Sequence, residues 1–431
     1  MYFAYSTLLA VGLILGLPYW LFQMLRHGKY RKGLGQRLGF VPARFRQTDR
    51  PAIWVHAVSV GEVLAVSQLV EGLRAQYPQR RVLISTTTDT GQRLAGQRFG
   101  ADNVFYFPLD FTFAVQRWMD ALHPELIVVA ETEFWPNFLR LARKSGARVA
   151  IVNARISDRS LPGYRRWRRF VKRILTGVDL FLAQTSEDAR RLEEIGAPAE
   201  RVQVAGNLKY DVAAPVAPEI VDQLRTALRD SQAGQVLVCG STVEGEELLL
   251  VAAFKNILAS YPSVVMLLAP RHPERFAIVA NILAELNVKF WRRSLWDGGR
   301  LNGSVLLVDS IGELASLYAL ADVAFVGGSL VPRGGHSILE PAQHGVAIVV
   351  GNHTENFRDI VGLYQSRNAL RVVGPAEFPL VLMDLLANPE ERAALGRRAL
   401  ETLQSQKGAT EFTIRSLRGL LANSPLEARP A

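Results

Sequence analysis

Gly327-Gly328 and Gly334-Gly335-His336 bracket a basic turn inside the stretch Phe325 to Arg358, and Glu340 follows closely behind them. The glycines free the backbone to approach a ligand. A helix beginning near Ser337 would aim unpaired N–H groups and a positive dipole end at an anion. Glu340, in the first turn of that helix, has a carboxylate that can accept hydrogen bonds from a sugar's hydroxyls. These residue types make a grip for a nucleotide, with phosphate at the turn and ribose on the acid. The same residues also suit an ordinary strand-to-helix turn whose first-turn acid complements the dipole, and spacing alone does not separate the two.

Other candidates follow apolar runs in the same way. Glu62 comes after AIWVHAVS, either as a general base towards a hydroxyl or as an acid of a helix's first turn. Glu131-Thr132-Glu133 precedes Phe134-Trp135-Pro136. Two acids at one strand end invite a division of roles, and either could instead cap the helix that Pro136 begins. Asn153-Ala154-Arg155 leads into Arg159, Arg165, Arg166, Arg168, Arg169, Lys172 and Arg173, interleaved with Tyr164, Trp167 and Phe170. That mixture suits anionic lipid headgroups, nucleic acid or plain solvent, and the apolar amino terminus favours the membrane. Lys209, in Gly206-Asn207-Leu208-Lys209, is a cation for a leaving phosphate. Further on, Gly240 to Glu247 forms a turn suited to a phosphate or carboxylate, Arg271 follows Ala269-Pro270, and Ile311-Gly312-Glu313 opens a helix. Of the scattered histidines, His56, His272 and His336 stand at strand ends.

The elements that must position these residues are strands and helices in alternation. AIWVHAVS, RVLISTTT, NVFYFPL, LIVVAETE, ARVAIVNAR and LFLAQT are near-continuously apolar, as strands buried on both faces are. Helical segments lie between them, such as Gly61 to Gln76, Pro136 to Lys144 and Ser186 to Ile195. Composition shifts at AAPVAP, Ala213 to Pro218, and the alternation resumes with QVLVCGS, VVMLLAP, VKFWRR, VLLVDS, DVAFVGG and AIVVG. This rhythm predicts two doubly wound α/β domains on parallel sheets, with chemistry at the carboxyl ends of the strands.

The chain has 431 residues and a formal net charge of +10, which favours an anionic partner. One cysteine, Cys239, excludes an intrachain disulfide. No Cys/His cluster has zinc spacing and no Asp-x-Asp pair occurs, so a metal-free mechanism is expected. Residues Met1 to Leu25 carry no charge, and Arg26, Lys29, Arg31, Lys32 and Arg37 follow before the first acid, Asp49. That is long enough to span a bilayer with the body on the cytoplasmic side, or to lie in the interface behind the same basic collar. No basic residue precedes the apolar run and no small-x-small site closes it, which argues against a cleaved signal peptide.

WVHAVSVGE, ETEFWPN, NARISDRS, GNLKYD, GSTVEGEE, APRHPERF and VGGSLVPRGGHSILEP, in this order behind an apolar amino terminus, resemble the bacterial 3-deoxy-D-manno-octulosonic acid (Kdo) transferases of lipopolysaccharide assembly. The resemblance implies two Rossmann-like domains facing across a cleft, the GT-B architecture. It implies an inverting glycosyltransferase that moves Kdo from CMP-Kdo to a lipid A precursor (lipid IVA), without a cofactor or a metal in the transfer step. The expected partners are CMP-Kdo, the lipid A precursor and an anionic membrane surface, with no nucleic acid. The expected location is the inner membrane, with the catalytic domains on the cytoplasmic face. Residues 1–25 would be the anchor, 26–212 the acceptor-binding domain, 213–218 the linker and 219–431 the donor-binding domain.

By the same resemblance Glu62 is the proton acceptor, and Glu131 and Lys209 stabilise the transition state. Pro270 and Arg271, Ile311, Gly312 and Glu313, and Ser337, Ile338, Leu339 and Glu340 would surround CMP. Two positions depart from the family pattern. Val243 stands where a histidine is usual, so no catalytic side chain is expected there. Ser337-Ile338 stands where Asn-Pro is usual, and serine is itself a good N-cap.

Overall fold

The computed structural model describes residues 2–27, 31–46, 50–212 and 219–422, which form two compact units. The first contains seven strands: β1 (Ala52–His56), β2 (Arg81–Thr86), β3 (Val104–Tyr106), β4 (Pro124–Ala130), β5 (Arg148–Ala154), β6 (Leu180–Ala183) and β7 (Val202–Val204). They pair in the order β3-β2-β1-β4-β5-β6-β7, all parallel. Period-two alternation divides the side chains between two faces. Trp54, Ile127 and Val129 enter one core with Phe105, Trp118 and Phe138, while Ile53, Val55, Leu126 and Val128 enter the other. Both faces are covered by helices, which is why these strands read as unbroken apolar runs.

The second unit repeats the plan with β8 (Val236–Thr242), β9 (Val265–Pro270), β10 (Phe290–Arg292), β11 (Val305–Leu307), β12 (Val323–Val326), β13 (Ala347–Gly351) and β14 (Arg371–Val373). Their order is β10-β11-β9-β8-β12-β13-β14, again parallel. Strand order reverses between β1 and β4 in the first sheet and between β8 and β12 in the second. Such switch points leave a crevice beyond the strand ends where ligands bind. Glu62 follows β1, Glu131 follows β4, the Gly240–Glu247 turn closes β8, and Gly327-Gly328 follows β12. The candidate residues therefore stand where the topology opens the sheets.

Several expectations are revised. β7 and β14 have three residues each and lie at sheet edges, half exposed, so they carry no periodic signal. The helix expected over Gly61 to Gln76 is two, Val60–Ala65 and Ser67–Gln76, and the Ser67 hydroxyl donates to the Val63 carbonyl at 2.7 Å across the break. The helix after the Gly334-Gly335 turn begins at Leu339 and has only five residues. Ile338 occupies its cap position, and the Ser337 hydroxyl reaches the Leu339 N–H at only 3.4 Å. Residues 406–422 belong to the first unit, although the linear reading groups them with the second. Asp211 accepts hydrogen bonds from the Gly408 and Thr410 N–H groups, and helix Ala409–Ala422 buries Leu417 and Leu421 in the first unit's core. The expected linker 213–218 lies outside the described residues.

One buried carboxylate holds the second switch point together. Glu246, fully buried, accepts N–H groups of Val243 at 3.1 Å, Gly328 at 2.7 Å, Ser329 at 2.8 Å and Leu330 at 2.9 Å. Burial pushes its pKa up while these four donors pull it down. All four partners are donors, so the ionised form is the one that fits. Replacing Glu246 with Ala orphans these N–H groups, and urea unfolding is expected to show a loss of at least about 3 kcal/mol.

Candidate functional site

Glu62 sits in the first turn after β1. Its carboxylate accepts the Val58 N–H at 2.8 Å and the Ser59 hydroxyl at 3.1 Å, so it does tie down its own helix entrance. Burial nevertheless pushes it up to about 7, with repulsion from Glu131 and Glu133 adding to the rise and the two hydrogen bonds opposing it. A carboxyl poised near neutrality is what a general base requires. Glu133 is also raised by burial, against a hydrogen bond from Trp135.

Glu131 adopts φ +56° immediately after β4, and Asn153 adopts φ +53° at the end of β5. Left-handed backbone at residues other than glycine costs of order 1 kcal/mol and gathers at functional sites. The Lys209 ammonium lies 3.3 Å from the Glu131 carboxylate, both side chains being partly exposed. Amides at the strand ends place that lysine. Asn153 accepts the Leu208 N–H through Oδ1 at 3.0 Å, and Gln184 donates to the Asn153 carbonyl at 3.0 Å. Asn207 donates to Gln184 at 3.0 Å and accepts the Lys209 N–H at 3.0 Å. Sequence reasoning passed over Gln184; an uncharged amide closing the apolar run LFLAQT was the available signal. His56, by contrast, is a core residue. It is fully buried, pushed down to about 3 by burial, stacked on Phe107 at 3.9 Å and bonded to the Ser85 hydroxyl at 2.9 Å.

In the second unit the anion at the Gly-rich turn is Glu246 itself. The Gly328, Ser329 and Leu330 N–H groups are occupied from within. The Glu247 carboxylate pairs with Arg275 at 3.0 Å, and the Val243 N–H of the turn after β8 is taken by Glu246. What gathers instead is a cluster of side chains. Arg271 follows β9, is exposed, and acts electrostatically on both His336 and Glu340. Burial, helped by Arg271 and His272, lowers His336 to about 4, so it is neutral at physiological pH, and its Nε2 is buried without a hydrogen-bond partner. Burial raises Glu340 while Arg271 opposes the rise.

Pro270, Ile338 and Leu339 are buried, leaving them backbone and packing roles. Ile311 is 79% exposed beside Gly312 at φ +92°, whereas the Glu313 carboxylate is engaged by Arg293 at 2.9 Å and by the Ser310 hydroxyl. Among the described residues no group of three or more His, Cys, Asp or Glu side chains is arranged to hold a metal ion.

The basic, aromatic segment forms helices Leu161–Arg166 and Arg168–Leu175. Arg165 pairs with Glu194 and Arg168 donates to its carbonyl at 2.6 Å, while Arg166, Arg169 and Lys172 are exposed. Beside it runs an open apolar groove of about 590 Å³, lined by Ala4, Tyr5, Leu8, Tyr164, Trp167 and Phe170 among others. Tyr164, on the groove's wall, stacks edge-on with Phe134 at 5.8 Å and feels the charge of Glu133.

Residues 32–212 match the family model described as 3-deoxy-D-manno-octulosonic-acid transferase (kdotransferase). The 3-deoxy-D-manno-octulosonic acid transferase of Haemophilus influenzae is 34% identical over 95% of this chain and 96% of its own length. The chain belongs to the Kdo transferase family. It is accordingly a glycosyltransferase. A glycosyltransferase from Rickettsia africae has the same fold with a TM-score of 0.53, at 12% identity over 88% of this chain and all of its own. A UDP-GlcNAc 2-epimerase from Neisseria meningitidis shares it too, with a TM-score of 0.55, at 13% identity over 85% of this chain and all of its own. Both likenesses concern the GT-B fold, and the Kdo transferase assignment rests on the sequence relatives.

Glu62 carries a stability cost in this Kdo transferase that can be measured apart from catalysis. Its folded pKa, about 7, exceeds the ordinary 4.5, so the native state binds the extra proton between those values. The stability contributed by the protonated carboxyl is present below about pH 4.5 and is lost as pH rises through 7, so the cost of the buried charge is felt above that pH. Glu62→Gln, a neutral isostere, is expected to raise the melting temperature at pH 8, with the difference from wild type shrinking at pH 5.

Proposed function

We propose that the chain transfers Kdo from CMP-Kdo to a lipid A precursor, lipid IVA, in lipopolysaccharide core biosynthesis, inverting the anomeric centre and releasing CMP. The observation that carries the reading is the arrangement at the first switch point. A carboxyl raised to about 7 stands with the Glu131–Lys209 pair in a family of Kdo transferases.

In this reading the first unit takes the acceptor and the second the donor. Glu62 removes the proton from a glucosamine hydroxyl as that oxygen bonds to the anomeric carbon of Kdo. The bond from that carbon to the phosphate oxygen breaks on the opposite face, and its electron pair leaves with CMP. Inversion follows from the opposed faces. Glu131 balances positive charge developing on the sugar, and Lys209 and Arg271 meet the negative charge of the departing phosphate. The cation set supplies the charge that a metal would otherwise bring, so no metal is assigned to the transfer step.

Pro270, Arg271, Ile311, Gly312, Glu313 and Ser337 to Glu340 form the CMP environment. Within it the phosphate is met by Arg271 and the unpartnered His336 Nε2, and the exposed Ile311 offers an apolar surface to the base. The neutral His336 donates or accepts without adding charge. The apolar groove beside Tyr164 and Trp167, bordered by exposed arginines, fits the acyl chains and phosphates of a lipid acceptor. The protein works at the cytoplasmic face of the inner membrane, where the basic residues after Arg26 face anionic lipid.

Incubating the detergent-solubilised protein with CMP-Kdo and a tetraacylated lipid A precursor is expected to yield lipid heavier by whole Kdo units on mass spectrometry. Transfer only from a UDP-sugar panel would overturn the donor assignment. Glu62→Ala is expected to lose roughly a hundred- to ten-thousandfold in turnover while still binding CMP, and the wild-type kcat/KM should rise through an acid limb near pH 7. Arg271→Ala is expected to raise KM for the donor about ten- to hundredfold in steady-state assays, the loss of one charge-assisted contact.

A further inference from the structure

The amino-terminal helix Tyr2–His27 is long and apolar enough to cross a membrane, and its length and composition say no more than that. Its contacts say more. Tyr2, Tyr5, Ser6, Leu9 and Ala10 are part-buried, an i, i+3, i+4, i+7, i+8 stripe turned towards the first unit, whereas 11–15 and 17–22 are exposed all round.

The stripe is held by polar bonds. The Ser6 hydroxyl accepts from Asn137 Nδ2 at 3.0 Å, the Tyr5 hydroxyl bonds to Asp110, and the Arg140 guanidinium stands 5.0 Å over the Tyr2 ring. Asp110 and Asn137 are buried, and they build the start of helix Pro136–Lys144. The Asp110 carboxylate accepts the Asn137 N–H at 3.0 Å and the Phe138 N–H at 2.7 Å. The amino end of the apolar helix is thus fastened to the element that follows Glu131 and Glu133.

The carboxyl end returns to the same unit. Beyond Arg26 and the basic residues Arg31 and Lys32, Gln36 accepts the Tyr106 N–H through its side chain at 2.8 Å, and its carbonyl accepts Trp118 Nε1 at 2.9 Å. A helix crossing the bilayer would hold Tyr5 and Ser6 roughly 30 Å of hydrocarbon away from Asp110 and Asn137, and none of these bonds would form. Nor does the free part of the helix reach far enough. Residues 11–25, between the docked stripe and Arg26, amount to roughly 22 Å, the length of an interfacial or re-entrant segment.

We propose that this helix does not cross the bilayer. It is embedded in one leaflet, with its amino terminus on the same side as the catalytic units. Its partner is a leaflet bearing anionic headgroups. The exposed Leu15, Tyr19, Trp20, Leu21 and Phe22 enter the acyl boundary, and Arg26 with the exposed Arg166, Arg169 and Lys172 meets the phosphates. The groove between this helix and Trp167 then opens into the leaflet it rests on. The inference concerns the anchor and stands whichever acceptor the enzyme uses.

Cys239 is the chain's only cysteine and is fully buried, with burial pushing its thiol pKa up, so it is a silent background for thiol chemistry. A Ser-Cys extension ahead of Met1, in the full chain in sealed inner-membrane vesicles of known orientation, is treated with a membrane-impermeant maleimide. Phe40→Cys, exposed on the first unit, reports the catalytic side. Modification of both thiols from the same face is expected, and modification of the extension from the opposite face alone overturns the proposal. Should the extension resist the reagent from both faces, the decision passes to Ser6→Cys with Asn137→Cys and a short bifunctional thiol reagent applied to the intact membranes. An intramolecular cross-link supports the embedded helix, and its absence there, against its formation in detergent, rejects it.

Discussion

The second unit depends on where a single negative charge is placed. Glu246 sits at the start of the helix after β8 and reaches across to the turn after β12, where its carboxylate replaces solvent for three consecutive N–H groups and for one of its own turn. That arrangement needs the two strands to be neighbours, which the β8–β12 pairing provides. It also needs glycine where the chains pass. A Cβ on Gly327 would stand 2.6 Å from the Ser241 carbonyl oxygen and 2.9 Å from the Glu246 carboxylate itself. Because the Gly328, Ser329 and Leu330 donors are already satisfied, that stretch of the turn offers no N–H group to a phosphate. The side chains that the structure brings together around it are Arg271, His336 and Glu340.

The first unit uses the same device. Asp110, with burial raising its carboxyl to about 6, is held by two backbone N–H groups at the start of helix Pro136–Lys144 and by the Tyr5 hydroxyl. A buried carboxylate with several donors is costly to desolvate and becomes tolerable only when its partners are fixed. Here the partners come from a helix next to the acid cluster and from the apolar amino-terminal helix. The amino-terminal helix and the helix that follows the acid cluster therefore share one internal cap.

The strands after β1 were legible because a strand buried on both faces must be apolar at nearly every position, and helices Pro136–Lys144 and Ser186–Ile195 were legible from their periodicity. β7 and β14 were not, since three half-exposed residues at an edge leave no pattern to read. At the site, strand ends followed by acids or cations were visible as positions. What those positions do was less so. The glycines suggested a backbone open to an anion, and at Gly328 to Leu330 the structure places the chain's own Glu246 carboxylate. Nothing in the spacing of GSTVEGEE says that Glu246 will satisfy a turn more than eighty positions away, because that relation exists only once the parallel sheet has formed. The break after Ala65 and the delayed helix start at Leu339 were hidden for a related reason, each being set by hydrogen bonds rather than by polarity. The family was legible from several motifs in order, a kind of information the fold lacks, since a glycosyltransferase and an epimerase share it.

Glu62 shows why the structural and the chemical accounts of one residue need not compete. A carboxylate has about four acceptor positions. The Val58 N–H and the Ser59 hydroxyl occupy one on each oxygen, which fixes the group's orientation and leaves lone pairs on both oxygens for a proton. Taken alone those two bonds would hold the acid low and make it a poor base. Burial beside Glu131 and Glu133 works against them and lifts it to about 7, where it can both accept a proton and release it. The capping bonds supply aim, and the group's own burial, helped by the neighbouring acids, raises its pKa. Moving the same residue to an exposed helix start would keep the first and lose the second.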